Sequence, residues 1–219
     1  MGQPVVIRKG LAAANAALFA ASQTPVSGTP LTLTGTAADT QRRVLVTYGN
    51  EAAQRTLTLT GLNDANAPVT EVITIPAGAP GTIQSAFDYR TLTSAVPAGG
   101  GWTAAMTLGT NTIGSTQWFL ANSEITPVSI AIAMEVISGT PNFQLDTTYD
   151  YILAPVSHAI NGGIIGAQPV PTVVIPPGLG PIAANTYGTI TTPIQGYRLT
   201  VNSGAGVVQL SATQAGIRN

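Results

Sequence analysis

His158 is the only imidazole in the chain, so a histidine-based triad would have to use it, with Asp146 or Asp150 nearby in sequence. No Gly-x-Ser-x-Gly nucleophile elbow accompanies it. Without a second histidine or any cysteine, a zinc ion lacks a ligand set. Residues 109–116, Gly-Thr-Asn-Thr-Ile-Gly-Ser-Thr, have the spacing of a phosphate-binding loop. Ser115 stands where that loop needs lysine, and the segment joins strands instead of opening a helix, so it is expected to be a hairpin. Asn63-Asp64-Ala65-Asn66 could offer oxygens to calcium, but a calcium loop needs more carboxylates and a following glutamate. An Asx-rich turn is the expectation there. The remaining acids, Asp39, Glu51, Glu71, Asp88, Glu124 and Glu135, are scattered. A two-carboxylate glycosidase would want aromatic sugar platforms, and only 5% of the chain is aromatic. Arg42 and Arg43 open a strand, and Arg55, Arg90 and Arg198 lie near strands. They are expected either to pair with Glu51, Glu71 or Asp88 and fix register or interface geometry, or to be solvated strand ends. No catalytic, cofactor-binding or metal-binding residue emerges, no cofactor is expected, and the chain is not expected to be an enzyme.

The composition explains why chemistry is scarce. Of 219 residues only 8% are charged, against roughly 25% in an ordinary soluble domain. There is one lysine, Lys9, and the formal net charge is −1. With no basic excess, phosphate-driven binding of nucleic acid is not expected. At 44% hydrophobic residues the chain is not of the disordered class, and without cysteine it has no disulfide framework. A free-standing small domain keeps about a quarter to a third of its surface charged. Either the 31 threonines and other polar residues do the solvating, or much of the surface lies against copies of itself or a larger assembly; the second account is preferred.

No apolar run is long enough for a transmembrane helix, and no membrane partner is expected. The start of the chain imitates a signal peptide, with Arg8 and Lys9 before an apolar stretch, but that stretch is mostly alanine.

Residues 1–28 are expected to form an arm, with β-prone Val5, Val6 and Ile7 and a short helix somewhere in the alanine-rich 10–21. From Thr29 the pattern has period two. Strands are expected at 31–35, 44–48, 55–60, 69–75, 91–96, 102–108, 117–120, 127–136, 142–148, 195–202 and 207–213, with Gly, Asn and Pro turns between them. Such alternation marks antiparallel strands with one buried face. The fold expectation is all-β, an antiparallel β-sandwich or jelly-roll-like packing, with one module over 29–120 and a second over 121–219. Residues 155–193 form a long excursion with seven prolines, inside a stretch free of charge from Tyr151 to Gln195. It is expected to be an arm lying over a neighbouring subunit, with 170–175 extended. Ser-Gly-Thr-Pro occurs at 27–30 and again at 138–141, which a duplicated module or chance recurrence would explain.

Several stretches taken in order carry a resemblance: 42–50 (Arg-Arg-Val-Leu-Val-Thr-Tyr-Gly-Asn), 55–64, 69–73, Phe87 with 91–94, 108–110, Trp118-Phe119, 136–143, 146–150 and 197–210. Together they resemble the small β-rich virion structural proteins of tailed bacteriophages, over most of residues 23–215. The 155–193 segment departs from that pattern, being longer and more apolar. The resemblance implies a capsid decoration or cement protein that stabilises the head through arm and strand-edge contacts. Its partners would be itself, as a homo-oligomer guessed to be a trimer, and the major capsid protein or other virion proteins. It would be assembled into the virion in the host cytoplasm. A head–tail junction, tail or fibre component is the alternative in the same class. A secreted carbohydrate-binding β-sandwich is the alternative outside it.

Overall fold

The computed structural model describes residues 5–11, 13–122, 125–150 and 172–218. His158 and the 155–171 part of the proline-rich excursion lie outside the described residues. Those described form two compact units, one of residues 13–114 and one built from 5–11, 115–122, 125–150 and 172–218. Among them there is no helix; the regular structure is antiparallel β.

The unit of residues 13–114 begins with β2 (Asn15–Gln23), β3 (Ala37–Tyr48) and β4 (Arg55–Leu62). It continues with β5 (Pro68–Ile75), β6 (Gly81–Ala98) and β7 (Met106–Ser115, whose last residue belongs to the other unit). The strand order is β7-β3-β6-β4-β5, and β2 pairs with β7. In β4 the Leu-Thr alternation does what period two requires. Leu57 and Leu59 are fully buried, while Thr56, Thr58 and Thr60 are half-buried on the other face. Each such leucine contributes about 1.5–3 kcal/mol by leaving water. The 18-residue β6 serves two partners. Its first half pairs with β3, from Tyr48↔Gly81 to Arg42↔Tyr89. Its second half pairs with β4, from Leu62↔Thr91 to Thr56↔Ala98. At the changeover a Cβ on Gly61 would lie 2.0 Å from the Thr91 carbonyl oxygen, so only glycine allows the approach. One core cluster takes side chains from all six strands, with Phe19, Val44, Leu57, Ile75, Tyr89 and Leu108 fully enclosed.

The other unit is the β-sandwich proper. Its first sheet has the order β1-β13-β9-β11, made of β1 (Val5–Leu11), β13 (Gly206–Arg218), β9 (Ile125–Gly139) and β11 (Thr186–Ile190). Facing it are β10 (Asn142–Thr148) and β12 (Gly196–Ser203), with the two-residue β8 (Phe119–Leu120) on β12. Ile130, Ile132 and Met134 of β9, Val208 and Leu210 of β13, Phe143 and Leu145 of β10 and Leu199 of β12 meet between the two layers.

Three expectations for residues 1–35 need correction. The described residues of the alanine-rich 10–21 stretch are not helical: they end β1 and make most of β2. A short isolated helix is marginal in water, and pairing with β7 buries Phe19 and Ala20 completely, which outweighs small differences in propensity. Residues 5–11 are not a free arm, because β1 pairs with β13 along its whole length. Residues 31–35 alternate as expected, with Leu31 buried, but join no ladder. Leu31 N–H donates to the Ala95 carbonyl, and the Gln23 amide side chain bonds both backbone groups of Thr32 at 2.8 and 2.9 Å, standing in for a strand.

Within the described part of the proline-rich excursion, the chain follows β10. Val174 and Thr147 exchange backbone hydrogen bonds, Leu145 donates to Leu179, and Phe143 and Ile182 bond reciprocally. The segment thus covers the open edge of β10 before forming β11, a strand the sequence reading left out. Of the stretch expected to be extended at 170–175, Val174 makes a single bridge.

Candidate functional site

The arginines are the first place to look for chemistry, and each described pair is structural. Arg42 is 1% exposed; its guanidinium grips both Asp39 oxygens at 2.7 Å and donates to the Asn111 carbonyl. Arg43 bonds Asp88 at 2.9 Å and the Ser85 carbonyl. Glu51, also 1% exposed, accepts the backbone N–H groups of Thr103 and Ala104 and stands 3.7 Å from Arg55 Nε. Arg55 in turn donates to the carbonyls of Gly99 and Gly101 and fixes that glycine turn. Arg90 pairs with Asp64 at 3.6 Å. Arg198 pairs with Asp146 at 3.0 Å and lies 4.7 Å from the Trp118 ring centroid. The expected pairings with Glu51 and Asp88 are present. Glu71 does something different: its carboxylate accepts the N–H groups of Ala86 and Phe87 at 2.6 and 3.2 Å, tying β5 to β6.

These contacts use charge inside the units to fix turns and register. Residues 63–66 behave the same way. Asn63 Oδ1 accepts from Ala65 and Ala67 N–H, the Asx turn the sequence implies, and Asn66 sits at φ 58°. Among the described residues no three His, Cys, Asp or Glu side chains gather as a metal site. The expected hairpin at 109–116 is a correction: residues 109–115 lie within β7. Gly109 is there because a Cβ would come within 2.2 Å of the Asn15 carbonyl oxygen on β2. Thr110, Ser115 and Thr116 are buried, while Thr112 and Ile113 are exposed.

Two tyrosines are perturbed by packing. Burial, and secondarily the Glu71 charge, pushes the Tyr89 phenol well above its ordinary range, and its hydroxyl has no hydrogen-bond partner. Burial also raises Tyr197. Neither residue lines the depression described below.

What the sequence reading missed is a surface. The outward side of β1-β13-β9-β11 carries a shallow depression of about 510 Å³ lined by Ala131, Ala133, Gly188, Thr189, Ser211 and Thr213, with Tyr187 at its edge. Register aligns Val6, Ser211, Ala133 and Tyr187 in one row across the four strands. The next row holds Arg8, Gln209 and Glu135. Val6 and Tyr187 are 59% and 67% exposed. This face is open, poor in charge and built from small residues, which suits sheet packing and offers no reactive group. Its signal in the sequence was the alternation of Ala and Ser in 129–133 opposite buried Ile and Met.

No family model, no curated protein and no solved structure matches this chain.

Proposed function

We propose that this chain is a structural protein of a tailed bacteriophage virion, a decoration or cement protein on the head. The observation that supports the reading most is where the charge goes. Five of the arginines are committed to carboxylates within their own unit, leaving broad sheet surface short of the charge that keeps a free domain apart from its neighbours. Surfaces of that kind suit permanent contact, where apolar and polar uncharged area is covered by other subunits. The contacting elements would be sheet faces and the edges of β5 and β11, which no strand pairs among the described residues and which could present backbone groups to another chain. A symmetric shell then multiplies individually weak contacts. In this reading the partners are further copies of the chain and the major capsid protein. The experiment is co-sedimentation: the chain should pellet with a large particle and stay with it through a gradient. A chain that remains at the top, free of any particle, overturns the proposal.

A further inference from the structure

We propose that β5 pairs with β5 of a second copy, antiparallel about a twofold axis at Val72, so that the sheet runs on from one copy into the other. The inference stands on this strand edge alone and holds whether or not the chain belongs to a virion.

The ladder between β6, β4 and β5 fixes which backbone groups face outward. Leu57 of β4 lies opposite Pro97 of β6, which has no N–H, and Leu59 lies opposite Ala95. The Pro97 and Ala95 carbonyls accept from Gly28 and Leu31 N–H instead. Leu57 and Leu59 therefore turn their N–H and C=O groups to β5, where they meet Ile73 and Glu71. The alternate residues of an edge strand face away from its neighbour. In β5 these are Thr70, Val72 and Thr74. All three are exposed, Val72 to 60%, and none of their backbone groups is bonded to a described residue.

This edge is a palindrome. Its outward positions read Pro68, Thr70, Val72, Thr74 and Pro76, all exposed. A twofold axis at Val72 sets Val72 against Val72, each Thr70 against Thr74 of the second copy, and each Pro68 against Pro76. Every N–H and C=O of the three outward residues then finds a partner. Both ends of the ladder close on a proline, which has no N–H to strand. Threonines facing each other are favourable cross-strand neighbours. Other registers do worse. Centring on Glu71 sets two carboxylates opposite each other, and centring on Ile73 leaves the Thr70 carbonyl facing a proline. In the Val72 register the two Glu71 residues are diagonal neighbours, about 7–8 Å apart. They point to the face opposite Val72, where each holds Ala86 and Phe87 N–H of its own copy, and salt screens their repulsion. An isologous contact requires a surface that is its own complement, and the palindrome selects a second copy as the occupant.

Other strand edges are managed. β1 carries Arg8 and Lys9, β10 is covered by the 174–182 segment, and β11 is only five residues long. β5 pairs with β4 over eight residues without a register shift, and no charged side chain points outward from it. Such an edge is a template for another strand.

A seam of one strand is a small interface, so the test is sedimentation equilibrium on the full chain at about 100 µM in about 0.15 M salt. Wild type should be mostly dimeric. Val72→Lys and Val72→Glu each set like charges opposite each other at the axis and should each raise the dissociation constant ~10-fold or more. Mixing the V72K chain with the V72E chain should restore association as a heterodimer, because the charges at the axis are then of opposite sign. A misfolded variant could not be rescued in that way. A monomeric wild type, a dimer indifferent to V72K, or V72K and V72E chains that do not associate with each other would each overturn the proposal. Such a failure leaves particle association, the test of the virion reading, unaffected.

Discussion

Arg198 and Asp146 face each other across neighbouring strands β12 and β10, with Nε 3.0 Å from Oδ2 in the register pair Asp146↔Arg198. The carboxylate also accepts the Thr200 hydroxyl and the Gln144 amide, each at 2.6 Å, and Arg198 reaches Ser115 Oγ. Both side chains are nearly enclosed, so the pair is a join between strands and not a docking charge.

That geometry sets the first prediction. Asp146→Ala leaves a guanidinium buried without its counter-charge and should cost about 3–5 kcal/mol. The double change Asp146→Leu with Arg198→Met should cost less than D146A alone, because neither charge is stranded. Guanidinium unfolding of the three proteins checks this, and a double change that costs as much as D146A or more would contradict it.

Glu71 is the second case. Glu71→Ala removes the acceptor for the Ala86 and Phe87 N–H groups and should destabilise by about 1–3 kcal/mol. Glu71→Gln keeps one carbonyl acceptor and should lose less. Equal stability of E71A and wild type would mean that water takes over both amides.

Tyr89 gives a prediction with a pH sign. Its hydroxyl is buried with no partner, so Tyr89→Phe should be neutral or stabilising by up to about 1 kcal/mol at pH 7. Burial raises the phenol above the ordinary 10.0. The folded chain therefore holds the proton while the unfolded chain gives it up above about pH 10. The stability tied to the neutral phenol is present below that pH and is lost as pH rises past it. Y89F should lose less stability than wild type on going from pH 9 to 11, with Tyr197 leaving a residual slope. Parallel curves for the two proteins would contradict this.

Deleting residues 1–28 separates an arm from a strand. A free arm could be cut without harm. Here the deletion takes away β1, the edge of one sheet, and β2, with the fully buried Phe19 and Ala20. The truncated chain should unfold at lower denaturant or fail to fold, as measured by circular dichroism and denaturant titration. Unchanged stability would restore the arm.

Much of the strand content was legible in the sequence, because burial on one face leaves a period-two trace. Leu57 and Leu59, or Ile130 and Ile132, could be assigned to a core from their spacing alone. What escaped was decided by tertiary contact. Residues 15–23 have helical composition, but β7 needs a partner and Phe19 a core. Residues 109–115 contain two glycines and look like a turn, yet Gly109 is required by the close backbone of β2. Residues 81–90 belong to β6 although Gln84, Ser85 and Asp88 blur the alternation; Ser85 and Asp88 are taken up by hydrogen bonds to β3.

As proposed, this chain is a repeated part of a virion head, and its copy number reports that most directly, by quantitative mass spectrometry of the purified particle with which it sediments. Hundreds of copies in a simple ratio to the major capsid protein are expected. A few to a few dozen copies would place the chain at the tail or its junction and contradict the head assignment, and absence from every particle would contradict the virion reading altogether.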